Sequence, residues 1–222
     1  MAMITEKSWQ YYAAQLGKLK GKAAELMRRW IEKNGTNDRQ AMIEYAKALI
    51  DRYGEAAAEM AAQNVEQMAA ASGKKIAAAR VAPTVGYDIV APAINGALKQ
   101  GVAVVPQIVD RMVKQTAADT TLQNAVRYEA EWAWIPDGES CPYCIMLASQ
   151  GWTRASRKVL NGGHAEHIHA NCDCEFAIRF DRKSGVKGYD PDKYKRQYEN
   201  AEGDNWRDKL NSIRRDQYEE AE

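Results

Sequence analysis

Tyr128-Glu-Ala-Glu-Trp132-Ala-Trp134-Ile135-Pro-Asp137-Gly138-Glu-Ser-Cys141-Pro142-Tyr-Cys144 and, further on, His164-Ala-Glu166-His167-Ile-His169-Ala-Asn-Cys172-Asp-Cys174-Glu-Phe176-Ala-Ile178-Arg-Phe180 decide how this chain is read. All four cysteines and all three histidines of the 222 residues fall inside this stretch. Chance scatter would almost never crowd them so.

The physical reading is a metal site, with zinc (Zn2+) as the ion. Cys141-Pro-Tyr-Cys144 lets one tight turn aim two thiolates at a single cation, and Pro142 stiffens that turn. His169-x-x-Cys172 brings an imidazole and a third thiolate from the other arm, which gives a closed tetrahedral set. The ion would close a loop of about two dozen residues. The expected ligands are Cys141, Cys144, His169 and Cys172. Cys174 is the main substitute, because an extended chain turns it to the same face as Cys172, and His167 is the next alternative. Two blander readings stand beside this one. The cysteines could form two disulfides, which need an oxidising compartment, or they could be reduced and merely buried. Met1 to Glu6 shows neither a basic n-region nor an apolar h-region, so no secretory signal supports the disulfides.

The flanks read as short strands. Tyr128, Ala130, Trp132 and Trp134 alternate on one face, and so do Phe176, Ile178 and Phe180. Each run lies next to one metal arm, so an antiparallel pairing would bring the arms together, with the aromatic faces in a core. A catalytic reading also exists. His164-Ala-Glu166 with Cys-Pro-x-Cys resembles the zinc deaminase signature, but the order is reversed and the proline lies inside the cysteine pair. Four protein ligands would leave no position for water and make the site structural.

The pattern Trp134, Asp137, Gly138, Cys141, Pro142, Cys144, Leu147, then His169, Cys172 and Cys174, resembles tailed-phage minor head proteins of the Mu F-like head-morphogenesis group. The usual ending there is His-Pro-Asn-Cys-Arg-Cys. This chain has His-Ala-Asn-Cys-Asp-Cys, so the proline and the arginine are missing while the possible ligands remain. The resemblance covers about residues 125 to 180. It implies a virion protein of the phage head interior, present in host cytoplasm during assembly. It implies association with the portal protein, other head proteins or packaged double-stranded DNA, in few copies that can form oligomers in the virion. The role it implies is head assembly or genome delivery (DNA ejection), not catalysis.

The rest of the chain sets bounds. Lys and Arg total 31 against 30 for Asp and Glu, a formal +1, so no global charge advertises nucleic acid or a membrane. No apolar run approaches the ~18–20 residues of a membrane span, and the mean hydropathy is −0.58. Six Trp and eleven Tyr against two Phe suit half-wet contacts as well as an ordinary core.

Helical spacing of Trp9, Tyr12, Leu16, Leu19, Ala23, Leu26, Met27 and Trp30 predicts a helix over 1–34, with Gly17 and Gly21 weakening it. Lys18, Lys20, Lys22, Arg28 and Arg29 form a basic streak that could touch phosphates, though a solvated face is the simpler reading. Asn37, with Gln40 in the manner of a capping box, starts a second long helix. That helix carries a stripe from Met42 to Met68, has Gly54 as its weak point and ends at Ser72-Gly73. Prolines and glycines between 83 and 106 predict short helices over Pro92–Lys99 and Pro106–Thr116, with Val102–Pro106 as a possible brief strand. Ala117–Arg127 reads as a further helix and Ile145–Ser149 as a helical turn packed on the site. Arg154, Arg157 and Lys158 project from a loop with turn signals on both sides. Residues 181–188 read as a polar linker, and 193–222 as a charged helix with a thin apolar seam that needs something to dock on.

The expected fold is mainly α with a small α+β unit. It has a helical domain (1–125), a Cys/His metal-centred α+β unit with short antiparallel strands (126–180), and a linker with a charged helical tail (181–222). The leading expectation is a non-enzymatic head protein with a structural zinc ion. The alternatives are a zinc-dependent hydrolase or deaminase using Glu166, and a zinc-containing DNA-binding module using the basic residues above.

Overall fold

The apolar stripes of the first seventy residues form two long helices in a computed structural model, which describes residues 3–4, 6–136, 140–157 and 174–219. Helix α1 spans Glu6–Asn34 and α2 spans Arg39–Ala71. α1 buries Trp9, Tyr12, Leu16, Ala23 and Met27, positions that recur every three or four residues and share one face. The α2 cap falls one residue later than Asn37. Asp38 is the N-cap, and its Oδ1 accepts the Ala41 amide at 2.9 Å. A carboxylate caps as well as an amide side chain and also answers the positive end of the helix. Gln40 does not complete a capping box; its amide reaches Glu44 and the Tyr87 hydroxyl.

Two expectations for the next stretch are corrected. Helix α3 runs Tyr87–Gln100 with Pro92 inside it. The ring costs one hydrogen bond, to the Asp88 carbonyl, at an exposed edge of the helix. Val102–Val104 is a 3-10 turn and not a strand, and it leads into one continuous helix, α4, Val105–Arg127. No break occurs at Ala117.

α4 is the centre of the molecule, and α1 and α2 both pack on it. Its polar residues do not face water. Thr116, Thr120, Thr121 and Asn124 are buried, and the segment 74–86 is laid along them as an extended strap. Asn124 donates to the Arg80 carbonyl at 2.7 Å and accepts the Arg80 amide at 3.0 Å. Thr120 Oγ1 accepts the Ala82 amide at 2.9 Å, and the Tyr128 hydroxyl donates to the Ala77 carbonyl at 2.8 Å. These side chains supply the partners that a strand would otherwise take from a sheet.

The sheet follows α4. Strands β2 (Glu131–Ile135), β3 (Thr153–Arg154) and β4 (Glu175–Arg179) lie in the order β3-β2-β4, all antiparallel. The two long strands are the ones expected from alternation, slightly shorter, in the register Trp132↔Ile178 and Trp134↔Phe176. The Phe176 ring meets Trp134 edge-on at 4.5 Å and Trp132 at 5.4 Å. The short β3, where the sequence shows only turn signals, adds the outer edge. A second pairing ties the ends of the fold together: β1 (Met3–Ile4) runs parallel to β5 (Gly185–Val186). The expected polar linker therefore carries a strand.

Between β2 and β3 stands helix α5, Pro142–Ala148, and after β5 come α6 (Pro191–Asn200) and α7 (Trp206–Glu219). One apolar cluster runs from Trp9 through α2 and α4 to Trp132, Cys144, Phe176 and Val186, and a smaller one joins Ile145, Ala201 and Ile213. Among the described residues, no helix is long and apolar enough to cross a membrane.

Candidate metal centre

The ladder between β2 and β4 determines where the cysteines go. Its last pair is Ile135↔Glu175. β2 ends at Ile135, ahead of Cys141 in the chain, and Cys174 directly precedes β4. In an antiparallel pair the end of one strand lies beside the start of the other, so both arms border the same end of one ladder.

Cys141 is the N-cap of α5, with Pro142 at the first helical position. Its sulfur accepts the Cys144 amide at 3.4 Å. This N–H···S contact folds the Cys-Pro-Tyr-Cys turn so that both side chains leave from one side, and a donor aimed at sulfur favours the thiolate. Cys144 and Cys174 are buried and Cys141 is half-buried; no disulfide joins these three to one another. Burial pushes the Tyr143 hydroxyl up, and the neighbouring Cys144 and Cys141 push it further. Tyr194 is raised likewise, by burial and then by Cys174. Ser140, just before Cys141, is buried; among the described residues its Oγ has no hydrogen-bond partner, and neither has Trp134 Nε1 on β2. Thiolate sulfurs are acceptors, so such buried donors suit a sulfur-rich site.

The other arm is anchored from below. Alternation places Cys174, Phe176 and Ile178 on one face of β4 and Glu175 and Ala177 on the other. Glu175 Oε1 stands 3.1 Å from Lys114 Nζ of α4, with both side chains almost fully buried. Tyr12 of α1 faces the same carboxylate. Its hydroxyl pKa is raised, by burial first and Glu175 second, against a hydrogen bond with Thr121 that lowers it. The sequence reading missed Lys114 and Glu175. The available signal was a lysine inside the apolar spacing Val105, Val109, Met112, Val113, Ala117.

Of the expected ligands, the structure brings Cys141 and Cys144 together and sets Cys174 at the mouth of β4. His169 and Cys172 lie outside the described residues, as do His164, Glu166, His167, Asp137, Gly138 and Lys158. Among the described residues, no three His, Cys, Asp or Glu side chains form a group able to hold a metal. Cys141, Cys144 and Cys174 are all described and do not make such a group by themselves. The residues present fit zinc in kind: a two-cysteine turn and a third buried cysteine.

The basic residues are less available than their spacing suggests. Lys20 turns inward to Asp110 at 3.4 Å, and Lys22 and Arg29 both close on Glu25. Arg154 sits in β3, 3.6 Å from Glu129. Only Lys18 and Arg28 of the α1 streak, with Arg157, remain exposed without a contact of this kind among the described residues.

Fold and cysteine turn together define a mainly helical protein whose small antiparallel sheet presents a Cys-x-x-Cys helix at one end. The chain belongs to the VG15 protein family, a group of viral (phage) gene products, whose model matches residues 3–201. That span takes in the helical body, the sheet, α5 and α6. No curated protein and no solved structure matches the chain.

Proposed function

We propose that this phage protein is a minor head protein of the head-morphogenesis kind, and that zinc serves it as a structural clip. The observation that supports the clip is the Ile135↔Glu175 register, because Cys141 follows β2 in the chain and Cys174 immediately precedes β4. The proposed ligands are Cys141, Cys144, His169 and Cys172, with Cys174 as the substitute. When bound, zinc supplies a tetrahedral cross-link between the arms. The chain's own residues do the rest. The Cys144 amide orients the Cys141 sulfur, and Lys114 holds Glu175 and with it the direction in which β4 leaves the site. A set of four protein ligands has no position for water, so this reading has no reaction centre and Glu166 has no catalytic duty.

The phage family and the resemblance of the cysteine motif support the head assignment, and with it portal, head-protein and packaged-DNA partners. Two measurements test it. Elemental analysis of the purified protein should give about one zinc per chain, lost in Cys141→Ser/Cys144→Ser. Mass spectrometry of purified virions should find the protein in the head, and it should co-purify with the portal ring. Absence from virions and from the portal would overturn the head reading; a zinc-free protein would overturn the clip.

A further inference from the structure

We infer that the C-terminal helical pair is a clamp on the Cys141–Cys144 arm, with Gln217 as a positioning residue for Cys141, so that metal binding and clamp docking are coupled. This rests on the zinc reading above.

Taken alone, α6 and α7 have little reason to be ordered. α6 buries no residue, and α7 buries only Leu210, Ser212 and Ile213. Short helices this polar are unstable in water without a surface to dock on. Their main contacts are with each other and with α5. Ile213 and Ala201 close on Ile145, the residue after Cys144, with Tyr194 and Tyr198 around them.

The polar contacts fall at the ends of the cysteine unit. Gln217 Nε2 donates to the Ser140 carbonyl at 2.8 Å, which fixes the peptide plane from which Cys141 springs. The Tyr189 hydroxyl donates to the Ala148 carbonyl at 2.8 Å, at the last residue of α5. Tyr194 stacks on Tyr189, with centroids 6.2 Å apart. The clamp therefore touches the start of α5 and its end. α5 has seven residues and is itself marginal. Two marginal elements hold each other, and an ion that fixes the cysteines must tighten the clamp by as much as the clamp tightens the ion. α7 lies beyond the span of the family match.

The test uses the full-length protein with Co2+ in place of zinc, read by its thiolate charge-transfer absorption during competition with a chelator. Gln217→Ala and Ile213→Ala should each weaken Co2+ binding about tenfold, the scale of other outer-shell losses, while Arg214→Ala on the exposed face leaves it unchanged. Hydrogen exchange across 191–219 should quicken when the metal is removed. Gln217→Ala deletes one half-buried contact, so it keeps the test valid even if Ile213→Ala unfolds the tail entirely. Wild-type affinity in Gln217→Ala, or exchange indifferent to metal, would overturn the clamp and leave the zinc site standing. A wild-type protein with no cobalt–thiolate absorption would overturn both.

Discussion

Lys114 is almost sealed from solvent, yet it ends in a charge. It is tolerated because Glu175 lies 3.1 Å away and is equally buried. Removing one partner of such a pair leaves the other desolvated and uncompensated, a loss of about 3–5 kcal/mol, whereas replacing both with apolar groups is often neutral. Lys114→Met should therefore destabilise by about that amount in urea unfolding, and Lys114→Met/Glu175→Leu should recover most of it. A double variant no better than the single would mean that the pair is not acting as an isolated unit. Glu129 offers a change in the opposite direction. It ends α4 with φ +53, while Ala130 donates back to the Ala125 carbonyl at 2.8 Å, an arrangement that favours glycine at the left-handed position. Its contact with Arg154 is long and exposed and contributes little. Glu129→Gly should raise stability by about 0.5–1 kcal/mol, read from the shift in denaturant midpoint.

Among the helices, glycine separates two situations that look alike in sequence. Gly17 and Gly21 interrupt α1, and nothing lies within 4 Å of where a Cβ would stand at either. Gly17→Ala and Gly21→Ala should each stabilise by about 1 kcal/mol, from helix propensity alone. Gly54 interrupts α2 where it passes α4. A Cβ there would meet Thr116 Oγ1 at 3.1 Å and Thr84 Cγ2 at 3.2 Å. Both threonines are held by their own hydrogen bonds, to the Met112 carbonyl and to Asp51. Gly54→Ala should gain nothing, and thermal melts of the three variants check the contrast. The same distinction explains what could be read from the sequence. α1, α2, β2, β4 and α5 announce themselves because their apolar periods face a single core. α4 does not read as one helix because its period is broken by polar residues that are in fact buried, with Thr120 and Asn124 binding the strap 74–86. That partnership spans some forty residues and leaves no local mark. β3 is two residues long, too short for any period to show. The cysteine turn was legible because its chemistry is local. The Lys114–Glu175 anchor and the Gln217 contact were not, since each joins residues that only the finished fold brings near.

Across the whole molecule, stability is layered. The body of α1, α2 and α4 owes its order to a broad apolar core. The sheet is fastened to that body by its share of the same apolar cluster, through Trp132, Trp134, Phe176 and Ile178, and by the Lys114–Glu175 pair. α5 and the clamp form the outermost layer, with three buried residues, Ile145, Ala201 and Ile213, between them. Regions with few buried contacts open first, so a metal that cross-links this layer should be felt there before anywhere else. On the proposed zinc reading, stripping the ion with a chelator should leave the far-ultraviolet helical signal of the body nearly intact. The near-ultraviolet signal should change, because Trp132 and Trp134 lie on β2 and Trp152 stacks edge-on with Tyr189 at the root of the clamp. On heating, the stripped protein should lose its near-ultraviolet signal at a lower temperature than its helical signal. The zinc-loaded protein should lose the two together, because binding to the folded form alone raises the stability of the layer that binds. Cys141→Ser/Cys144→Ser should behave as the stripped protein does, with or without added zinc. If chelation instead collapsed the helical and aromatic signals in one step, the cysteine unit would be part of the body's own folding unit and not a separately fastened layer.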